Sequence, residues 1–272
     1  MSSQKHQPPV WDSSSDFYDP LANYYDALRD IIGLPPPRFY QDLITKRTWS
    51  ILELGCGTGV ITRALADQLL EQHGSLDKVR VVGIDASAEM LRIARGSDNR
   101  VEWIQGDMRD PPLEGRFDLI VCCYYTLQYM LTDEDVSGVF NSARSLLQPY
   151  GVFAFDIYQP NFDYLKDPRT NQTIRSSVDA EGRILELRED ARYDGAARVL
   201  RLDWRLIRQE PQGPTVVARA RQYVAQYTAG DIDRLLRGAG LRMLARFGDM
   251  DRSSFTPLSK RQVVVCGPCA KV

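Results

Sequence analysis

Three glycines at alternate positions, Gly55, Gly57 and Gly59, follow directly on an apolar run in Ile51-Leu52-Glu53-Leu54-Gly55-Cys56-Gly57-Thr58-Gly59. Glycine costs conformational entropy, so such a cluster marks backbone that bends sharply or comes close to something. A structural tight turn accounts for one glycine but not three. Two phosphate-binding loops are excluded: a dinucleotide fingerprint would need its third glycine where Val60 stands, and no Gly-Lys-Ser/Thr follows to make a P-loop. Proton-transfer candidates are sparse. Of the two histidines, His6 lies near the start of the chain and His73 at the far end of the helix expected after the glycine loop. Neither is placed for catalysis. Cys266-Gly267-Pro268-Cys269 copies a thioredoxin-type redox pair, whose first cysteine needs a helix N-terminus to lower its pKa. Only Ala270-Lys271-Val272 follow, so a strand end and a tail is the better reading. No metal is expected.

Alternating strands and helices must hold the glycine loop. Strand patterns cover residues 51–54, 79–84, 101–104, 117–122 and 152–155. Helical patterns fall at 60–71, 88–95 and 133–147, the last opened by Thr132 and Asp135 at capping-box spacing. This rhythm predicts βαβ units and a parallel sheet, whose ligands bind beyond the carboxyl ends of the strands. Upstream, Asp19-Pro20 predicts a capped helix with Leu21, Tyr24, Tyr25 and Leu28 on one face. The Gly33-Leu34-Pro35-Pro36-Pro37 run ends it, and a second helix is expected over 38–46. From about Thr170 to Tyr227 the pattern becomes antiparallel strands with turn signals at Asp179-Ala180-Glu181-Gly182, Tyr193-Asp194-Gly195 and Glu210-Pro211-Gln212-Gly213. Leu200, Leu202, Trp204 and Leu206 alternate with Arg201, Asp203 and Arg205. A helix over 230–239 and strands near 241–247 and 262–265 complete the chain.

Composition restricts the partners. A net charge of -2 and a pI near 5.8 argue against nucleic acid. No apolar run reaches the roughly 20 residues that span a bilayer, and the polar N-terminus lacks a secretory apolar core. The expectation is a cytoplasmic chain with residues 1–15 as a mobile tail, no membrane partner, and a homodimer left open.

Five motifs in order resemble the class I S-adenosylmethionine-dependent methyltransferases. They are Glu53-Leu54-Gly55-Cys56-Gly57-Thr58-Gly59; Val82-Gly83-Ile84-Asp85-Ala86-Ser87-Ala88-Glu89-Met90-Leu91; Gly106-Asp107-Met108; Phe117-Asp118-Leu119-Ile120-Val121; and Leu146-Leu147-Gln148-Pro149-Tyr150-Gly151. Tyr18-Asp19-x-x-Ala22-x-x-Tyr25-Asp26 and Phe247-Gly248-Asp249 are similar to segments of small-molecule members, amino-sugar N-methyltransferases among them. The resemblance implies an α/β fold: a Rossmann-like seven-stranded methyltransferase sheet with an N-terminal helical lid and an antiparallel β insert. It divides the chain into a lid at 16–48, a core at 49–158 and 228–268, and an insert at 159–227 covering the acceptor site.

The implied cofactor is S-adenosyl-L-methionine. Its implied contacts are Tyr18 and Tyr25 of the lid, Glu53, Gly55, Cys56 and Gly57 of the loop, Asp85, Ala86 and Met90, Gly106, Asp107 and Met108, and Cys123. Asp85 would accept the ribose hydroxyls and Asp107 the adenine amino group, although either fits equally as a helix or turn cap. Met90 offers the adenine a polarizable surface or serves as core. Around the acceptor, Tyr124, Tyr125, Tyr158 and Asp156 are the candidate catalytic residues, with interior packing as the plain alternative for the rings. Arg188, Arg192 and Arg205 either hold an anionic acceptor or form a solvated face. The implied partner is a small-molecule acceptor. Lack of a placed histidine favours an amine nitrogen, since amines attack as the free base. An O- or C-methyltransferase and a non-methylating protein on the same fold remain open. RNA and protein substrates are disfavoured by the acidic balance and by the missing Asn/Asp-Pro-Pro-Tyr/Phe segment after the fourth strand.

Overall fold

The computed structural model describes residues 18–32, 38–75, 77–178 and 181–269. The expected N-terminal tail with His6, the proline run at 33–37, half of the first turn signal and the last three residues lie outside them.

A parallel sheet needs strands covered on both faces, and the central ones are. In β1 (Ser50–Leu54), the side chains of Ile51, Leu52, Glu53 and Leu54 are all buried. The strands β2 (Arg80–Asp85), β3 (Glu102–Gln105), β4 (Phe117–Cys122), β5 (Leu147–Tyr158), β10 (Leu241–Phe247) and β11 (Arg261–Pro268) join it in the order β10-β11-β5-β4-β1-β2-β3. Only β11 is reversed, pairing antiparallel with both neighbours. The chain winds outward from β1 to β3, then returns to β4 on the other side of β1. That reversal opens a crevice at the carboxyl ends of β1 and β4, where such folds bind ligands.

Helices cover both faces. On one, Val139 and Phe140 of α4 (Asp133–Leu146) and Leu235 of α5 (Ala229–Gly238) pack on Ile120, Phe153 and Phe155. On the other, Ile61, Leu65 and Leu69 of α2 (Val60–His73) pack on Val81 and Leu119. A further helix, α3 (Ala88–Ser97), is capped by Ser87, whose Oγ accepts the Met90 N–H at 3.1 Å.

The antiparallel insert is a separate sheet in the order β6 (Arg169–Val178), β7 (Ile184–Asp194), β8 (Val199–Arg208), β9 (Thr215–Ala225). Apart from Ala225 at the end of β9, its apolar face packs away from the main core. Leu185, Leu187, Leu206 and Ala218 instead form a third hydrophobic cluster with Leu21 and Leu28 of the N-terminal segment, a 3-10 turn over Asp19–Tyr24 continued by α1 (Tyr25–Ile32). Lid and insert therefore share one core. Burying Leu21 and Leu28 there is worth about 1.5–3 kcal/mol each.

Local expectations are corrected at three places. Asp19 does not cap its helix: Tyr18 occupies the cap position, and the Asp19 carboxylate accepts the Ser87 hydroxyl at 2.5 Å. The second helix stops at Gln41 rather than Lys46, because Thr45 and Thr48 turn the chain, the Thr45 N–H meeting Thr48 Oγ1 at 3.0 Å. At α4 only half of the capping box forms. Thr132 Oγ1 accepts the Asp135 N–H at 3.1 Å, while the Asp135 carboxylate binds Thr132 Oγ1 and Arg109. The complete box is at Thr228 and Asp231, opening α5.

Candidate active site

The three glycines do three different things. All are left-handed, with φ of 72°, 54° and 79°. A Cβ on Gly55 would lie 2.3 Å from Thr126 Cγ2, and one on Gly59 2.3 Å from the Trp103 ring. Gly55 thus admits the loop after β4, and Gly59 admits β3. Gly57 faces Tyr25 of the lid at 3.6 Å and donates its N–H to Asp85 Oδ2 at 2.7 Å. The other Asp85 oxygen accepts the Ser87 N–H at 2.9 Å. Burial raises the Asp85 carboxyl above its usual range, against the lowering by these two bonds.

A cavity of about 380 Å³ runs along the carboxyl ends of β1, β2 and β3. At one end stand Tyr18, Tyr25, Gly55 and Gly57. Asp85, Ala86 and Met90 line the middle, and Gly106, Asp107 and Met108 continue it. These ten are all among the cofactor contacts expected from the sequence. Glu53, Cys56 and Cys123 line an adjoining recess of about 20 Å³, which shares Tyr25, Gly55 and Thr126 with the main cavity. Burial pushes the Glu53 carboxyl up to about 8, opposed by the Thr62 hydroxyl that donates to it at 2.5 Å.

The lid is fastened to the loops it covers. Besides the Asp19 contact, Thr58 Oγ1 donates to Asp26 at 2.8 Å, and Arg92 Nη2 to Asn23 Oδ1 at 3.1 Å.

Of the expected catalytic residues, only Tyr124 borders these spaces. Tyr125, Tyr158 and Asp156 line neither the cavity nor the recess, and Tyr124 lines only the recess. Tyr125 stacks on Tyr158 with centroids 3.5 Å apart, and the Arg261 guanidinium, paired with Asp249 at 3.0 Å, covers the Tyr125 ring. Asp156 is fully buried and accepts the Tyr40 hydroxyl and, at 2.8 Å, the Tyr124 N–H. Burial raises its carboxyl to about 6. It braces the turn after β4. That turn needs a brace. Tyr124 and Tyr125 are both left-handed, at φ 54° and 65°, a strained conformation for bulky residues.

The strained turn delivers Thr126 to the glycine loop and Tyr129 into the cavity. Tyr18 donates its hydroxyl to Tyr129, which donates to Gln222 Oε1 of the insert at 2.8 Å. Lid, core and insert meet at this chain. Sequence reasoning missed Arg109 and Asp135 as lining residues, and within the stretch 123–129, expected at the acceptor pocket, it did not single out Thr126 or Tyr129. Tyr129 stands in the aromatic stretch after β4, but no periodicity separates it from Tyr124 and Tyr125. His73 lies away from the cavity, stacked on Trp49 and bonded to the Thr48 carbonyl at 2.9 Å. The insert arginines are engaged: Arg188 pairs with Glu186 at 2.6 Å and Arg205 with Asp190 at 3.1 Å, while Arg192 is exposed. Cys266 is buried in β11 and its thiol donates to the Phe153 carbonyl.

Residues 51–151 match a family model described as a methyltransferase domain. Over those residues the chain is similar to methyltransferases, and the motifs there are the ones whose resemblance implies S-adenosylmethionine as cofactor. The putative methyltransferase YqeM of Bacillus subtilis is 38% identical over 145 residues, which cover 52% of this chain and 55% of that one. The dTDP-3-amino-3,6-dideoxy-alpha-D-glucopyranose N,N-dimethyltransferase of Streptomyces fradiae is 26% identical over 153 residues, covering 54% and 56%. The chain thus spans just over half the length of these curated relatives. The CcbJ methyltransferase of Streptomyces caelestis shares the fold, with a TM-score of 0.77 at 23% identity over 96% of this chain and 100% of that one.

The residues present fit that cofactor. The cavity places left-handed glycine backbone at one end and the half-buried Asp85 carboxylate midway. A second carboxylate stands at the far end, with Met90 and Met108 between. This is the order of amino-acid, ribose and adenine parts.

Among the described residues, no helix is long and apolar enough to cross a membrane.

Proposed function

We propose that this chain transfers the methyl group of S-adenosylmethionine to an amine nitrogen of a small molecule. One observation carries the reading: the titratable groups on the proposed methionine side of the cavity are tyrosine hydroxyls that stay neutral. Burial raises Tyr18, Tyr25 and Tyr129 above the ordinary phenol range, and their mutual proximity adds to it in Tyr18 and Tyr25. A neutral phenol with a raised pKa is a poor base at neutral pH. The lining carboxylates are occupied, Asp107 and Asp135 by Arg109 and Asp85 by two backbone N–H groups. An amine needs no base, because it attacks as the free base.

When bound, the cofactor supplies a methyl already activated on a sulfonium. The chain's own residues align and exclude water. Tyr18 and Tyr129 offer hydroxyl oxygens that orient an acceptor N–H, and the lid, fastened through Asp19 and Asp26, closes the site. The amino-sugar N,N-dimethyltransferase among the relatives supports the same acceptor class.

A screen of small amines, alcohols, phenols and carboxylic acids, read by S-adenosylhomocysteine release, tests this. Amines are expected to turn over. Tyr129→Phe is expected to slow them about tenfold or less, as loss of an orienting hydrogen bond does. Turnover of alcohols alone, silenced by Tyr129→Phe, would show that Tyr129 acts as a base and overturn the reading.

A further inference from the structure

The end of the cavity away from the glycine loop holds one guanidinium between two carboxylates. Asp107 accepts the Arg109 backbone N–H at 2.8 Å, Nε at 3.0 and 2.9 Å through its two oxygens, and Nη2 at 2.6 Å. The same guanidinium reaches across to Asp135 of α4, with Nη1 2.5 Å from Oδ1. All three side chains line the cavity beside Met108 and Leu131.

Arg109 is itself positioned by α4. Its carbonyl accepts the Ser142 hydroxyl at 2.6 Å, and a Cβ on Gly138 would sit 3.3 Å from Arg109 Cβ. Asp135 is fixed in turn by Thr132 Oγ1 at 2.9 Å. The bonds from Arg109 hold the Asp107 carboxyl below the usual carboxylate range, so it remains purely an acceptor at neutral pH. Yet its side chain is 45% exposed. The Arg109 backbone N–H holds one oxygen, but only the fork of Arg109 grips both, and without the guanidinium Asp107 would face Asp135 as a like charge.

We propose that Arg109 is the positioning residue for adenine selectivity: its grip holds Asp107 as a fixed acceptor edge for the exocyclic amine of the cofactor's base. This rests on reading Asp107 as the acceptor of that amine. Hypoxanthine carries a carbonyl oxygen where adenine carries the amine, and a fixed carboxylate repels it. A site built around a hydrogen bond rejects the analogue lacking it far better than an apolar pocket does.

Calorimetric dissociation constants for S-adenosylhomocysteine and its deaminated analogue S-inosylhomocysteine test the proposal without any methyl acceptor. The wild-type protein should prefer the adenine form by about tenfold or more. Arg109→Gln should lose about tenfold for S-adenosylhomocysteine but less than about twofold for the inosine analogue, bringing the two together. Arg109→Lys keeps the charge and loses the fork, so it should restore part of the preference. Asp135→Asn leaves Asp107 gripped and should keep the wild-type ratio. Equal losses for both ligands in Arg109→Gln would show mere structural support, and an unchanged ratio would show that Asp107 is held without it. Either overturns the proposal. A wild-type protein that binds both ligands equally would remove Asp107 as the reader and the proposal with it. Binding of neither ligand would overturn the cofactor assignment itself.

Discussion

The cofactor side and the acceptor side of this cavity are built in opposite ways. On the proposed cofactor side the contacts from the core stand within a few residues of a strand end: Gly55 and Gly57 after β1, Asp85 closing β2, Asp107 after β3. The acceptor side is assembled over long distances. The Tyr18–Tyr129 and Tyr129–Gln222 bonds span 111 and 93 residues, and the lid packs on the insert rather than on the sheet. One side is a set of local turns that any sheet of this order provides. The other exists only when lid, β4 turn and insert dock together, and so is free to vary with the acceptor.

Substitutions sharpen this contrast. The largest expected effect is Gly57→Val. Its φ of 54° disfavours a β-branched residue, and its Cβ would point towards Tyr25 across the cavity. S-Adenosylhomocysteine binding should fall below calorimetric detection while the melting curve stays cooperative. Retained affinity would break the claim that this loop holds the cofactor.

Leu28→Ala removes a side chain buried between lid and insert and should cost about 2–5 kcal/mol. The loss should appear first as protease cleavage within the insert, with the parallel sheet still folded. The same logic makes deletion of residues 1–26 costly to the insert, since Leu21 goes with it. Cleavage confined to the lid would show that the two are not one unit.

Asp85→Ala should weaken S-adenosylhomocysteine by about 2–3 kcal/mol, the worth of a charged hydrogen-bonding partner, and unchanged affinity in a folded variant would remove Asp85 from the site.

A smaller effect is expected on pH dependence. Burial raises the Asp156 carboxyl from 3.8 to about 6. Between those values the folded state binds more protons than the unfolded one. The contribution of Asp156 is therefore fully present below pH 4 and is lost as pH rises through 6, by about 1–3 kcal/mol. Urea denaturation at pH 4.5 and 7 should show that this fall is reduced in Asp156→Asn. An equal fall in the variant would mean that Asp156 is not the group responsible.

The same contrast explains what could be read in the chain. Strand–helix alternation and apolar runs made the parallel sheet legible, because β1 and β4 are buried on both faces and bounded by turn residues. Gly55, Asp85 and Asp107 were legible because their positions are defined by strand ends. Tyr129 was not. It enters the cavity through two left-handed tyrosines, and bulky side chains give no signal for that conformation. Asp156 was a candidate base for want of a placed histidine, whereas its burial beneath Tyr40 within β5 depends on a contact 116 residues away. The third glycine is similar: Gly59 makes room for Trp103, a fold requirement hidden among ligand-binding glycines.

The pH profile of methyl transfer to an accepted amine, followed by S-adenosylhomocysteine release at saturating S-adenosylmethionine, tests the central claim most directly. If neutral tyrosines only orient the acceptor, kcat/KM should rise tenfold per pH unit below the amine's own pKa and level off there. The profile should shift with the pKa of each amine tested. Tyr129→Phe should lower the curve without moving its midpoint. A midpoint that stays constant across amines of different pKa, and that moves when Tyr129 or Asp156 is replaced, would reveal a protein base and contradict the account.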